Sequence, residues 1–196
     1  VYNRADLVIP DGAGVVLGAK ILGTPIKEKV AGCDLMLAIL ASERERSRKV
    51  FLFGAAEGVA EAAKEVIIRD FPGVAVVGVE NGLDYIHREN EIIKRINDSG
   101  AEILFVALGA PRQEIWLEKH RDSLCVRLSM GVGGSFDVLS GKVKRAPIIL
   151  QRLSLEWFYR LCKEPWRWRR MLDLPRFVFR VIRVAVDRRN RKHKKI

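Results

Sequence analysis

The chain has 196 residues, 48% of them hydrophobic, enough for one domain with a buried core plus an appendage. It holds no run of eighteen uncharged apolar residues, so no transmembrane helix is predicted, and no stretch reads as a signal peptide. The net charge of +11 is unevenly spread: residues 142–196 hold 18 Lys and Arg against 4 Asp and Glu, whereas residues 1–141 hold 17 against 20. All the excess positive charge therefore lies in the last quarter, which argues for an anionic partner. Cys33, Cys125 and Cys162 are scattered and form no CxxC pair, so neither a zinc site nor a disulfide framework is indicated and a reducing compartment fits. The chain opens on Val1 rather than Met and runs almost at once into a strand-like segment, which reads as a shortened or processed start.

Ala5 to Ile9 (ADLVI) is a buried-strand candidate, followed by the glycine turn Pro10-Asp11-Gly12-Ala13-Gly14 and an apolar helical run, Val15 to Leu22. Asp11 sits at the carboxyl end of that strand, where α/β domains meet ligands. A carboxylate there is either a helix cap or a general base. Gly23-Thr24-Pro25 turns the chain, and Asp34 can begin a helix from Leu35 to Ser47 whose charged end is a solvated face. Lys49 to Gly54 is the next strand, Ala55 to Phe71 an alanine- and glutamate-rich helix, and Val74 to Val79 another strand. After the Asn81-Gly82 turn, Glu89 to Ser99 is a helix closed by Gly100.

Glu102 to Trp116 (EILFVALGAPRQEIW) organises the rest. Ile103 to Leu108 is a short apolar run suited to a buried strand, and Gly109-Ala110-Pro111 turns the chain. Arg112 to His120 is a helix, with Pro111 at its first position and Ile115, Trp116 and His120 at helical spacing. Arg112 and Gln113 thus occupy a helix N-terminus at a strand's carboxyl end, a place that favours anions. Arg112 can face a phosphate and Gln113 can hydrogen-bond a sugar or phosphate oxygen; the plainer reading is a loop whose polar groups face water. Leu124 to Met130 is a further strand, with Gly131 to Asp137 (GVGGSFD) its glycine-rich exit.

Strands and helices alternate, with β-branched runs rather than polar alternation, which predicts an α/β fold: a Rossmann-like, mostly parallel sheet with helices on both faces. Residues 1–141 form this domain and residues 142–196 a basic helical appendage. Neither a GxGxxG dinucleotide fingerprint nor a GxxxxGK[ST] phosphate loop is present, which counts against a nucleotide-dependent oxidoreductase.

In the appendage a helix runs from Arg145 through Leu161, Glu164-Pro165 breaks it, and a last helix spans Arg176 to Arg189. Trp157, Trp166 and Trp168 lie here among arginines, and Phe177, Phe179, Val181, Ile182, Val184 and Val186 alternate with further arginines. Apolar and aromatic side chains interleaved with arginine suit a helix lying in a membrane interface. Two other readings stand beside it: an apolar stripe packed on the core with solvated arginines, and a basic nucleic-acid-binding tail, against which the bulky aliphatics count.

Five motifs in order are similar to those of the WecG/TagA/CpsF glycosyltransferases: PDGAG at Pro10 to Gly14, KVAGCDL at Lys29 to Leu35, LGAPRQEIWL at Leu108 to Leu117, GVGGSFDVLSGKVKRAP at Gly131 to Pro147, and LEWFYRLCKEPWRWRR at Leu155 to Arg170. The resemblance implies an inverting transferase, peripheral on the cytoplasmic face of a bacterial membrane. It would move N-acetylmannosamine, or a related sugar such as N-acetylmannosaminuronic acid, from a UDP donor to undecaprenyl-diphosphate-linked N-acetylglucosamine. It implies no cofactor and no metal, in keeping with the absence of a DxD pair, and no nucleic-acid partner; a homo-oligomer is compatible with it. Asp11 would be the general base. Gln113, Arg112, Lys29, Gly109, Gly131 and Asp137 would bind substrate, and Arg160, Arg167 and Arg170 would complete the site over the diphosphates. Lys29 stands where the family usually has Arg, replacing a bidentate phosphate contact by a point charge. The family's amino-terminal strand has no counterpart before Val1.

Overall fold

The computed structural model describes residues 2–43, 46–152, 155–163, 165 and 173–193. In chain order its elements are α1 (Ala13–Ile21), α2 (Gly32–Ser42), β1 (Lys49–Gly54), α3 (Val59–Asp70), β2 (Ala75–Glu80), α4 (Glu89–Asp98), β3 (Ile103–Ala107), α5 (Arg112–His120), β4 (Leu128–Gly131), α6 (Ser135–Leu139), α7 (Ile148–Arg152), α8 (Glu156–Lys163) and α9 (Asp173–His193). Short 3-10 turns occur at Tyr2–Arg4, Tyr85–His87 and Arg121–Ser123. The chain forms two compact units, Val1–Val8 with Gly32–Lys144 and Ile9–Ala31 with Arg145–Ile196.

The first unit is built on a four-stranded sheet, every pair parallel, in the order β2-β1-β3-β4. Successive residues of a strand point to opposite faces, so an unbroken apolar run is stable only when both faces are covered. That is the case for β1 and β3. Val50, Leu52, Ile103 and Phe105 pack with Met36 and Leu40 of α2, Ala60, Ala63 and Ile67 of α3, and Phe136 of α6. Phe51, Phe53, Leu104 and Val106 face the other way, onto Ile92, Ile93 and Ile96 of α4 and Trp116 of α5. Each such side chain taken fully out of water contributes about 1.5–3 kcal/mol. Gly78 of β2 makes room for the Phe51 ring, which a Cβ at that position would meet at 2.3 Å.

In the second unit α9 lies on α1 at Gly18, where an added Cβ would come within 3.0 Å of the Phe177 ring and 3.4 Å of Val181. Val181 is the buried contact, while Phe177, Phe179, Ile182, Val184 and Val186 are exposed. No described helix is long and apolar enough to cross a membrane.

Several elements depart from the sequence reading. Ala5 to Ile9 is not a strand; it joins no ladder, and Leu7 is 73% exposed. Apolar composition alone does not make a strand without a partner edge. The helix after β1 starts at Val59 rather than Ala55, because Ala55 and Gly58 both take positive φ (62° and 76°), which helical residues do not. The strand after α5 starts at Leu128 rather than Leu124, after the Arg121–Ser123 turn. The helix expected from Arg145 through Leu161 is two helices, α7 and α8; the Leu155 N–H donates to the Leu150 carbonyl at 2.8 Å, a bond across five residues that ends α7. Within α5, Trp116 and His120 are buried as the spacing predicts, but Ile115 is exposed.

Candidate active site

The chain leaves β1 for β2 on one side and returns to β3 on the other, so the switch in strand order falls between β1 and β3. In open α/β sheets this crevice at the strands' carboxyl ends is where ligands bind. Here the two strand ends are drawn tightly together. Gly54 (φ 115°) has no room for a Cβ, which would lie 2.6 Å from the Ala107 backbone, and the Ala55 N–H donates to the Ala107 carbonyl at 2.9 Å. Beyond β3, Gly109 turns the chain at φ 76°, and its carbonyl accepts from the Gln113 N–H at 3.1 Å as α5 begins. Pro111 is the residue just before α5, one position earlier than the sequence suggested.

Gln113 is only 5% exposed. Its Oε1 accepts from the Gly133 N–H at 2.9 Å, and its Nε2 donates to Glu114 Oε1 at 2.9 Å. Gly131, the last residue of β4, is the space this side chain fills: a Cβ there would lie 2.7 Å from Nε2 and 2.9 Å from Cδ. Gly131 was predicted as a binding residue; its observed contact is with Gln113. Arg112 is exposed in the first turn of α5, its guanidinium near Gly109, where an added Cβ would lie 3.9 Å from Nη2. Asp137, half-buried in α6, keeps its carboxylate close to Gly134, 3.7 Å from that residue's would-be Cβ. The structure thus brings Gly109, Arg112, Gln113 and Gly131 together at one edge of the sheet.

In the second unit the Asp11 turn is tied to the Lys29 loop by the Val30 N–H, which donates to the Pro10 carbonyl at 3.2 Å. The residue capping α1 is Gly12 (φ 98°), which has no side chain to offer, and Asp11, exposed, stands one position before it. Lys29 Nζ donates to Glu156 Oε2 of α8 at 3.2 Å, and Arg145 Nε lies 3.7 Å from Glu156 Oε1. Two cations around one carboxylate leave this cluster net positive. Arg160 is one helical turn beyond Glu156 on α8. The Arg160 side chain and all of Arg167 and Arg170 lie outside the described residues.

Two carboxylates escaped the sequence reading. Glu114 adjoins Gln113, and neighbouring helical residues are not expected to touch across a helix face, so no spacing signal pointed to it. Glu80, at the carboxyl end of β2, is 4% exposed and held by Arg88 Nη1 at 3.1 Å and by Arg95. The Arg88 guanidinium is pushed up, first by its hydrogen bond to Glu91 and then by the charge of Glu80. Among the described residues, no three His, Cys, Asp or Glu side chains cluster as metal ligands would.

The sequence pattern of the glycosyl transferase WecG/TagA/CpsF family matches residues 1–191. An N-acetylglucosaminyldiphosphoundecaprenol N-acetyl-beta-D-mannosaminyltransferase of Bacillus spizizenii is 42% identical over 93% of this chain and 70% of its own length. The protein of that name from Bacillus subtilis (strain 168) is 36% identical, over 93% of this chain and 71% of its own. One from Staphylococcus aureus (strain MRSA252) is 34% identical, over 92% and 70%. With the family pattern spanning almost the whole sequence and these relatives covering more than nine-tenths of it, this chain belongs to the WecG/TagA/CpsF family of glycosyl transferases.

Proposed function

We propose that this protein transfers N-acetyl-D-mannosamine from UDP-N-acetylmannosamine to undecaprenyl-diphosphate-linked N-acetylglucosamine with inversion at the anomeric carbon. The observation that carries this reading is the identity of 36–42%, over 93% of the chain, to transferases named for that acceptor and that sugar. The acceptor hydroxyl attacks the anomeric carbon from the face opposite UDP. Its proton passes to the Asp11 carboxylate, the new glycosidic bond forms, and UDP leaves with the bonding pair. A single exposed carboxylate suffices for this when its position matches the proton it takes.

The leaving diphosphate gains negative charge that preorganised donors must meet. Arg112 and the Gly109 turn supply such groups, with Gln113 donating to the sugar or diphosphate and Asp137 a further candidate for substrate binding. Lys29, paired with Glu156, is a candidate for substrate binding within the second unit. Arg160, Arg167 and Arg170 add cations from the basic appendage, residues 142–196. The exposed Phe179 (68%), Ile182 and Val186 of α9, with arginines between them, suit docking on an anionic membrane surface where the lipid-linked acceptor resides.

The test is incubation with UDP-N-acetylmannosamine and a short-chain lipid-diphosphate N-acetylglucosamine, with UDP-N-acetylglucosamine as the control donor. The reading expects one added N-acetylhexosamine on the acceptor by mass, from the first donor only. Equal transfer from the control donor, or no transfer from UDP-N-acetylmannosamine, refutes it.

A further inference from the structure

We propose that Glu114 is a positioning residue that locks the amide of Gln113, so that Gln113 meets the donor substrate in one fixed orientation. This rests on the reading of Gln113 as a donor-site residue. A backbone N–H can only donate, so the Gln113 atom facing Gly133 is the oxygen; an ionised carboxylate can only accept, so the atom facing Glu114 is the nitrogen. The flipped amide would set donor against donor at Gly133 and oxygen against oxygen at Glu114. The two anchors agree, and the empty space at Gly131 is what lets the side chain reach both. After these bonds Gln113 keeps one N–H donor and one lone pair for a ligand.

Glu114 holds this position at a cost. Its second oxygen, Oε2, is buried and has no hydrogen-bond partner among the described residues, and a carboxylate needed only to favour the start of α5 would do better with that oxygen in water. Without Glu114 the amide hangs from Gly133 alone and swings about that bond.

The experiment uses the full chain and four variants: Glu114→Leu, Glu114→Gln, Glu114→Asp and Gln113→Ala, with Glu114→Leu also made in the Gln113→Ala background. Kinetics with UDP-N-acetylmannosamine and the lipid acceptor, UDP affinity by calorimetry, and thermal midpoints are measured for each. Glu114→Leu is expected to lower kcat/KM for the donor and weaken UDP by about 10- to 100-fold, the scale of an ångström misplacement, with the acceptor KM unchanged. Glu114→Gln, whose amide oxygen can still accept, restores most of it. Glu114→Asp keeps a charge at the helix start but draws its oxygens back, and is expected to behave like Leu in kinetics while keeping its thermal midpoint. In the Gln113→Ala background the leucine costs nothing further.

A wild-type Glu114→Asp, or a Glu114→Leu loss that persists undiminished when Gln113 is already alanine, overturns the proposal while leaving Gln113 in the site. Wild-type kinetics and UDP affinity for Gln113→Ala itself would instead remove Gln113 from the site, and Glu114 with it.

Discussion

Replacing Gly131 with alanine perturbs the Gln113 site by one methyl group. Gly131 has no positive φ, so the backbone accepts alanine without strain and the effect is confined to what the new Cβ meets. It meets Gln113 Nε2 at 2.7 Å, Cδ at 2.9 Å and Cγ at 3.0 Å. Ordinary contact begins near 3.4 Å, so the amide must retreat by about 0.7 Å. Both its bonds are 2.9 Å long, and that retreat carries at least one of them past the hydrogen-bonding range. Overpacking of this kind costs about 1–3 kcal/mol of stability. For catalysis, a misplaced binding group of this size costs on the order of 10²-fold. Urea unfolding and steady-state kinetics measure the two effects on the same sample. The account expects a folded variant with a modestly lowered midpoint and kcat/KM for the donor down by about 10- to 100-fold. A folded Gly131→Ala with wild-type donor kinetics would show that the Gln113 amide has no part in donor use.

Asp11→Asn is expected to lower turnover by about 10²–10⁴-fold while UDP affinity by calorimetry stays near wild type, because the amide keeps the shape and loses the base; undiminished turnover would place the base elsewhere. Alanine at Arg160, Arg167 and Arg170 together is expected to abolish transfer to a water-soluble acceptor while most binding to anionic liposomes remains in flotation, and retained transfer would leave the appendage as an anchor only. Burial raises the Glu89 carboxyl, but the hydrogen bond from Lys119 and the His120 imidazole 3.3 Å away outweigh it and hold the group below its ordinary value. A carboxyl lowered in the folded state contributes stability above its unfolded pKa of about 4.3, lost as the pH falls through the folded value. Urea midpoints between about pH 6 and about pH 3 should therefore fall less for Glu89→Gln than for wild type, and parallel curves would refute the assignment.

The parallel sheet was legible because β1 and β3 are buried on both faces, so their apolar runs carry the signal without help from alternation. ADLVI carries the same local signal and is exposed, since strand formation depends on a partner that composition does not reveal. The α7–α8 break was not legible either: no glycine or proline lies between Ile148 and Lys163, and the helix ends on a backbone bond from Leu155 to Leu150. At the candidate site, the placement of Gly109, Arg112 and Gln113 could be read from strand, turn and helix start. The Gln113–Gly131 fit could not, because it joins residues eighteen apart through the absence of a side chain. Nor did spacing connect Lys29 to Glu156, 127 residues away, although both lay in motifs the resemblance had singled out.

The anomeric configuration of the product tests the central claim most directly. One carboxylate acting as base on the acceptor hydroxyl permits a single displacement, so the α-linked sugar of UDP-N-acetylmannosamine must arrive β-linked. The one-bond carbon–hydrogen coupling at the new anomeric centre, read by NMR on the purified lipid-diphosphate disaccharide, distinguishes the two linkages. A β-linked product made by the wild-type chain, and made about 10²–10⁴-fold more slowly by Asp11→Asn, is the predicted result. An α-linked product would mean retention, by two displacements or by attack on the face UDP leaves from, and would contradict the role given to Asp11.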